Sequence, residues 1–284
     1  MPVTAIIAGA PLWIWCSFIG VVLAFLALDL GVFHRKAHVV KTREALIWTG
    51  IWIAVALVFN AGIFLWWERF FPDGLTANEA GLQFLTGYLV EKSLSIDNIF
   101  VFLFAFMYFG VPAHLQHRVL FWGIIGALIF RGIFIAVGAV MLEQFAWTMI
   151  LFGGLLVITA IKLILHKDKK PDLEKNPLLR LLRRVMPVTE EYQEEKFFTR
   201  IKGRLWATPL FAALLVIEFS DLIFAVDSIP AIFAITDNPF IVFTSNVFAI
   251  LGLRSLFFAI GGLVGMFQYL TYGLAGVLGF IGLK

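Results

Sequence analysis

Long apolar stretches set the strongest limit on what this chain can fold into. Seven stretches of 21 or more mostly apolar residues follow one another, and a shorter eighth comes last. They are residues 12–33, 45–67, 81–109, 119–141, 145–165, 206–236, 240–266 and 270–284. With 61% hydrophobic and 14% charged residues, a water-soluble fold could not bury so much apolar surface, whereas each of the seven matches the ~20 residues that cross a bilayer. The sequence therefore predicts an all-α fold, a polytopic helical membrane protein.

The basic residues predict the orientation of the chain. Segment 166–205 is the longest polar stretch and holds eleven of the 22 Lys and Arg residues. The positive-inside rule places such a segment in the cytoplasm. Counting spans from it puts Met1 outside and the basic loop around His34 inside. We therefore expect a multi-pass protein of the inner (plasma) membrane.

An internal repeat is visible in the order of the charged residues. Two acids six residues apart occur as Glu91 and Asp97 in the third stretch and as Asp221 and Asp227 in the sixth. One stretch later, each copy contains an arginine, Arg131 or Arg254. Because three spans separate the copies, their orientations are opposite, as in many secondary transporters. The predicted units are an N-terminal two-helix segment (1–80), two inverted three-helix repeats (81–165 and 206–284) and a cytoplasmic loop (166–205).

Six acids inside the apolar stretches require an explanation, since a charge at the centre of a bilayer costs roughly 2.5–3.5 kcal/mol. They are Asp29, Glu91, Asp97, Glu218, Asp221 and Asp227. Three bases, Lys92, Arg131 and Arg254, are the candidate counter-ions. Ion pairs that only hold helices together would leave about three negative charges unbalanced in a low dielectric. Bound cations or protons must supply the difference.

The ligand atoms near these acids predict the kind of cation. Amide and hydroxyl oxygens of Asn98, Asn246, Ser95 and Ser228 accompany the carboxylates, while the five histidines lie in loops and Cys16 is the single cysteine. Oxygen-only sites favour Mg²⁺, Ca²⁺ or Mn²⁺. The predicted metal ligands are Glu91, Asp97, Asn98, Glu218, Asp221 and Asp227, supported by Asp29, Ser228 and Asn246.

Helical geometry refines the arrangement of these ligands. At 100° per residue, Glu91, Ser95 and Asn98 share one face, while Asp97 points about 120° away. Asp227 points away from Asp221 and Ser228 in the same manner. Pro230 removes one helical hydrogen bond, so we expect the sixth span to kink or unwind beside Asp227. Carbonyl oxygens freed there would join the carboxylates as ligands.

Four motifs closely resemble the TerC/Alx family of integral membrane proteins. They are Leu28-Asp29-Leu-Gly-Val-Phe-His34-Arg35, Glu91-Lys-Ser-Leu-Ser-Ile-Asp97-Asn98, Glu218-Phe-Ser-Asp221-Leu-Ile-Phe-Ala-Val-Asp227-Ser-Ile-Pro230 and Thr244-Ser-Asn246-Val-Phe-Ala-Ile-Leu-Gly-Leu-Arg254. The resemblance runs from about residue 25 onward. It implies an inverted-repeat fold related to the LysE transporter superfamily, Mn(II) export as the activity, and a historical link to tellurite resistance. The family adds a ninth span, so we expect the last helix, 270–284, to be incomplete in this sequence.

These observations favour a secondary transporter that exports Mn(II), binds it through the membrane acids and exchanges it against protons or the membrane potential. No nucleotide-binding motif is present that could power a pump. An aspartyl protease using Asp97 and Asp227 would require glycine-flanked aspartates, but Ile96 and Val226 precede them, so we expect no enzyme. A membrane scaffold that delivers metal to other proteins, or helps insert them, is the remaining alternative. We expect no prosthetic group and no nucleic-acid partner; Mn(II), protons and the bilayer are the expected partners, and the sequence leaves the oligomeric state open.

Overall fold

A computed structural model describes residues 6–7, 10–33, 41–71, 74–145, 147–165 and 177–260. The helices are α1 (Leu12–Phe33), α2 (Thr42–Phe70), α3 (Ala77–Phe109), α4 (Ala113–Gln144), α5 (Thr148–Leu165), α6 (Pro177–Val185), α7 (Pro209–Phe233), α8 (Pro239–Leu251) and α9 (Leu253–Ile260). Two small antiparallel hairpins pair β1 (Ile6–Ile7) with β2 (Ala10–Pro11), and β3 (Phe198–Ile201) with β4 (Arg204–Ala207). The all-α fold class is confirmed in the described part of the chain.

Local sequence signals set the ends of the central helices. Helix α3 begins with a capping box, in which the Thr76 side chain accepts from the Glu79 backbone and the Glu79 carboxylate accepts from the Thr76 backbone. It ends at Gly110, whose φ of 63° lies in the left-handed region that favours glycine. Helix α7 has Pro209 at its first position, and the Asn238 side chain caps α8.

Several helices have the length and composition of membrane spans. Three described helices, α2, α4 and α7, are long and apolar enough to cross a bilayer, and α8 with α9 would make a fourth as one bent span. Helix α3 has 33 residues and is therefore about 50 Å long. Large apolar side chains such as Ile150, which is 79% exposed, face outward from the bundle as lipid contacts require. Residues 270–284, the predicted eighth span, lie outside the described residues.

The two acid-bearing helices, α3 and α7, pack against each other at the centre of the bundle. Helix α3 also packs extensively against α8, and α7 packs in the same manner against α4. Each acid-bearing helix therefore contacts the second helix of the other predicted repeat. An approximate two-fold axis between the copies would produce these reciprocal contacts. They bring polar residues from both copies to one place.

The structure differs from one sequence expectation. Helix α7 continues through Pro230 to Phe233, so the sixth span does not unwind beside Asp227, and the alternative expectation of a kink there stays a prediction. The break lies at Gly252 instead, where α8 and α9 meet at 41°. The described part of the loop before α7 forms one short helix, α6, and the hairpin β3–β4. The two strands of this hairpin pair in register around a turn at Lys202 and Gly203, whose φ values are 49° and 80°.

Candidate functional site

Arg131, on α4, lies at the centre of the candidate site and is 2% exposed. Its guanidinium forms a two-pronged contact with Asp221 of α7: Nε donates to Oδ2 at 3.1 Å and Nη2 donates to Oδ1 at 3.0 Å. Its Nη1 donates to Oε1 of Glu91 on α3, which is fully buried. Arg131 thus connects the first acids of both repeat copies, Glu91 and Asp221. Charge-assisted pairs of this geometry are among the strongest hydrogen bonds in proteins.

Neutral polar side chains complete this network. Asn98 Nδ2 donates to Asp221 Oδ1 at 2.9 Å. Arg131 Nη1 also lies within hydrogen-bond distance of Asn246 Oδ1, at 2.9 Å, and of Ser228 Oγ, at 3.3 Å. Four helices, α3, α4, α7 and α8, therefore contribute to one buried cluster. We call Glu91, Asn98, Arg131, Asp221, Ser228 and Asn246 the Arg131 cluster.

One face of α3 presents buried oxygen atoms that the surrounding protein does not satisfy. Glu91 Oε2, Ser95 Oγ and Asn98 Oδ1 have no hydrogen-bond partner among the described residues. All three side chains are at most 1% exposed. Residues four and three positions apart on a helix lie above one another, so these oxygens form a row along the Arg131 cluster. Unsatisfied buried oxygens are costly, and a bound cation would satisfy them.

Glu218 occupies a separate position one turn before Asp221 on α7. Its carboxylate packs directly over Gly126 of α4, and a methyl group at Gly126 would overlap it. Its Oε2 is buried and has no partner in the described part of the protein. The glycine is therefore required at this position to make room for an acid.

The second acid of each repeat copy lies apart from the Arg131 cluster. Asp97 and Asp227 are only partly buried, as their predicted rotation away from the cluster faces requires. The Thr159 hydroxyl of α5 donates to Asp227 Oδ1 at 2.7 Å. Among the described residues, no three acidic, histidine or cysteine side chains converge as one metal-binding group. The six predicted ligands are thus distributed over several positions in this state, and Asp29 has no described side chain.

The two other predicted counter-ions lie at the break between α8 and α9. Lys92 Nζ donates to the Ala249 carbonyl at 3.2 Å and would lie 2.7 Å from a methyl group at Gly252. Arg254 is 6% exposed and lines a narrow pocket that also contacts Asp221. A Lys side chain at the carboxyl end of α8 is favoured by the helix dipole.

Three features of the site were not predicted from the sequence. Arg131 was predicted as a counter-ion, but its contact with acids of both repeat copies was not. Thr159 was not predicted, although a hydroxyl in the interior of the apolar helix α5 is a usable signal, since a polar atom in an apolar span faces its partners. Gly126 was not predicted as part of the site. Its contact with Glu218 depends on how α4 packs against α7.

Comparison with known proteins identifies the family to which these residues belong. The family model described as the integral membrane protein TerC family matches residues 76–284. The chain belongs to the TerC family. All residues of the Arg131 cluster lie within the matched region, so the cluster is part of the family domain. The TerC family assignment also establishes an integral membrane protein.

Several TerC family relatives align with nearly the whole chain. A membrane protein of Myxococcus xanthus without assigned function is 56% identical over 276 residues, covering 97% of this chain and 83% of the relative. A proposed membrane-bound redox modulator of Escherichia coli K12, Alx, is 46% identical over 278 residues, covering 97% and 86%. A Rickettsia felis membrane protein is 40% identical over 270 residues, covering 95% and 87%. No solved structure matches the chain.

Proposed function

We propose that this TerC family protein is a secondary transporter that exports a divalent metal, Mn(II) in the first instance, through its intramembrane carboxylates. The observation that carries the proposal is the row of buried, unsatisfied oxygens of Glu91, Ser95 and Asn98 beside Asp221. Hydrogen-bond acceptors without donors, next to carboxylates, match the needs of a hard cation. A structural role alone would leave these oxygens without compensation.

The distribution of the acids supports movement of a cation rather than permanent storage. Glu91 and Asp221 are deeply buried, whereas Asp97 and Asp227 are partly exposed. A metal that first meets the partly exposed acids and then the buried ones would be dehydrated in steps. Each step exchanges water oxygens for protein oxygens, which lowers the cost of bringing a divalent ion into the bilayer. Proton coupling follows from the excess of acids over bases.

Transport is tested directly by Mn(II) uptake. The purified protein is reconstituted into sealed vesicles that contain a metal-sensitive dye, and Mn(II) is added outside with or without a pH gradient. We expect dye quenching that depends on the protein and increases when the interior is acidic, because protons then leave as Mn(II) enters. Vesicles with correctly folded protein that take up no Mn(II), Mg(II) or Ca(II) would contradict the proposal.

The redox role in the name of Alx suggests a different activity for relatives, and the same preparation separates the two. A dithiol mechanism needs two thiols, whereas these 284 residues include one cysteine, the exposed Cys16. Replacing Cys16 by Ser should leave Mn(II) uptake unchanged. The scaffold alternative, in which the protein delivers metal or assists insertion of other proteins, predicts binding of Mn(II) without uptake into vesicles.

A further inference from the structure

Arg131 donates hydrogen bonds to the carboxylate oxygens that a metal would need as ligands. Both carboxylate oxygens of Asp221 accept hydrogen bonds from its guanidinium, and so does Oε1 of Glu91. Within the Arg131 cluster and its neighbour Ser95, the buried oxygens without partners are Glu91 Oε2, Ser95 Oγ and Asn98 Oδ1, and all three belong to α3. A hard divalent cation takes six or more oxygen ligands, so it needs more than these three, and the oxygens of Asp221, which Asn98 contacts, are adjacent charged ligands on α7. It can reach those of Asp221 only if the guanidinium leaves.

The charges lead to the same conclusion. Glu91 and Asp221 together carry two negative charges, so Arg131 leaves one of them unbalanced, whereas a divalent cation balances both. With the guanidinium and the metal both present, two positive species would lie a few ångströms apart in a buried site. Their repulsion is weakly screened there. Arg131 and a divalent metal therefore exclude each other from the space between α3 and α7.

A second acceptor for the guanidinium lies nearby. Glu218 precedes Asp221 by three residues, so the two acids are neighbours on the surface of α7. Its Oε2 is buried and unpartnered within the described chain. The carboxylate packs on Gly126, five residues before Arg131 and therefore about 7.5 Å along the axis of α4. A long, flexible arginine side chain can cover this distance without movement of the helices.

We propose that Arg131 is a tethered cation that holds the place of the metal between Glu91 and Asp221 and moves to Glu218 when a divalent cation enters. This inference rests on the proposed transport function and adds a mechanism of release to it. When Arg131 returns to Asp221 it competes with the bound metal and expels it.

The test measures Mn(II) affinity by isothermal titration calorimetry of the purified protein in detergent micelles. Removing the internal competitor with Arg131→Met should tighten Mn(II) binding on the order of tenfold. It should also slow exchange of bound Mn(II) in reconstituted vesicles, because nothing expels the ion. Arg131→Lys keeps the charge but loses the two-pronged contact with Asp221. Its Mn(II) affinity should therefore lie between those of the wild type and Arg131→Met. The matched control is Arg118→Met on the same helix α4, which removes an arginine whose ion pair is with Glu195, outside the Arg131 cluster, and should leave the Mn(II) affinity unchanged.

Glu218 provides a second, independent readout. If it accepts the displaced guanidinium, Glu218→Gln should weaken Mn(II) binding in the wild-type background but not in the Arg131→Met background. A direct metal ligand would instead weaken binding equally in both, so this double-mutant cycle separates the two roles.

The outcomes distinguish failure of this mechanism from failure of the transport proposal. Wild-type protein that neither binds nor transports divalent cations would overturn both. Wild-type protein that transports Mn(II), with Arg131→Met folded but equal or weaker in affinity, would overturn the tethered cation alone. If Arg131→Met does not fold, Arg131→Lys with unchanged or weaker Mn(II) affinity would also overturn it.

Discussion

Single charged residues inside the bundle differ in burial, and this difference predicts different roles. Glu91 and Asp221 are buried against Arg131, and neutralising either would leave the guanidinium with a weakened partner. A variant at Glu91 or Asp221 would therefore lose transport through misfolding as well as through loss of a ligand, and the two effects could not be separated. Asp97 and Asp227 lie outside the Arg131 cluster and are partly exposed. They are therefore the better residues for testing metal transport by itself.

We expect Asp97→Asn and Asp227→Asn each to reduce Mn(II) transport severely while the protein remains folded in the membrane. Each change removes a charge and weakens a ligand, and a lost charged interaction of about 1.5–3 kcal/mol lowers transport roughly tenfold or more. Uptake into vesicles at matched protein amounts measures the effect. The control is Glu143→Gln, at an exposed acid near the end of α4, which should transport normally. Normal uptake by both aspartate variants would remove these acids from the pathway.

Contacts between helices place the acids, and α4 contributes two glycines that test this separately. Gly126 faces the Glu218 carboxylate directly, whereas a methyl group at Gly123 would lie 3.4 Å from Ile217 Cγ2, a nearly ordinary contact. Both positions are in the same helix and face the same partner, α7. Comparing an alanine substitution at Gly126 with one at Gly123 therefore isolates the effect of displacing the Glu218 carboxylate.

Gly126→Ala should therefore reduce transport and destabilise the protein by about 1–3 kcal/mol, because the new methyl group overlaps Glu218 and forces its carboxylate or the helix to move. Gly123→Ala in the same assay should behave much more like the wild type. Thermal unfolding in detergent and Mn(II) uptake measure the two effects. Equal behaviour of the two variants would show that the α4–α7 contact tolerates a shift at Glu218.

The segment between α6 and α7 is attached to α3 through Tyr192. Its hydroxyl donates to the Phe109 carbonyl at the end of α3, at 2.7 Å. Partial burial raises the pKa of Tyr192 to about 12, above its usual value near 10. The proton is thus held more tightly in the folded protein. The contribution of protonated Tyr192 to the stability of the segment is fully present below about pH 10. It is lost as the pH rises toward 12, because the tyrosine ionises at a lower pH in the unfolded segment than in the folded one.

Tyr192→Phe should remove this hydrogen bond and destabilise the folded segment by about 1 kcal/mol. It should also remove the loss of stability at alkaline pH, because phenylalanine does not ionise. Hydrogen exchange or limited proteolysis of the segment 186–208 at about pH 9 and pH 11, below and above the ordinary tyrosine pKa, tests both statements. In the wild type the segment should open more at the higher pH. In the variant the extent of opening should be similar at the two pH values. A wild type that opens equally at the two pH values contradicts the role of Tyr192.

The whole molecule must balance more acids than bases inside the membrane. Five described acids, Glu91, Asp97, Glu218, Asp221 and Asp227, accompany three bases, Lys92, Arg131 and Arg254, and Asp29 adds a sixth acid from the sequence. Arg131 pairs with two of these acids. We therefore expect the metal-free protein to hold protons on some of the acids near neutral pH, since a low dielectric does not tolerate the excess charge.

Binding of Mn(II) should displace such protons. Titration of the purified protein with Mn(II) in weak buffer at about pH 6–7 should acidify the solution, and the Mn(II) affinity should increase as the pH is raised. Export should strengthen under alkaline conditions until another step limits it. The Asp97→Asn/Asp227→Asn double variant should release fewer protons per bound ion. Binding without proton release would mean that the acids are already ionised and that other groups balance their charge.

The helical membrane class, the approximate helix limits and the identity of the buried charges could all be predicted from the amino-acid sequence. They follow from local rules, because apolar length, caps and the cost of a charge in lipid act on neighbouring residues. Which charges meet depends instead on packing: Glu91 and Asp221 share Arg131 only because α3, α4 and α7 lie together. Likewise, Pro230 remains helical while the chain breaks at Gly252, beside Lys92. Contacts with neighbouring helices can outweigh a local preference for breaking, and no local pattern in the sequence records that balance.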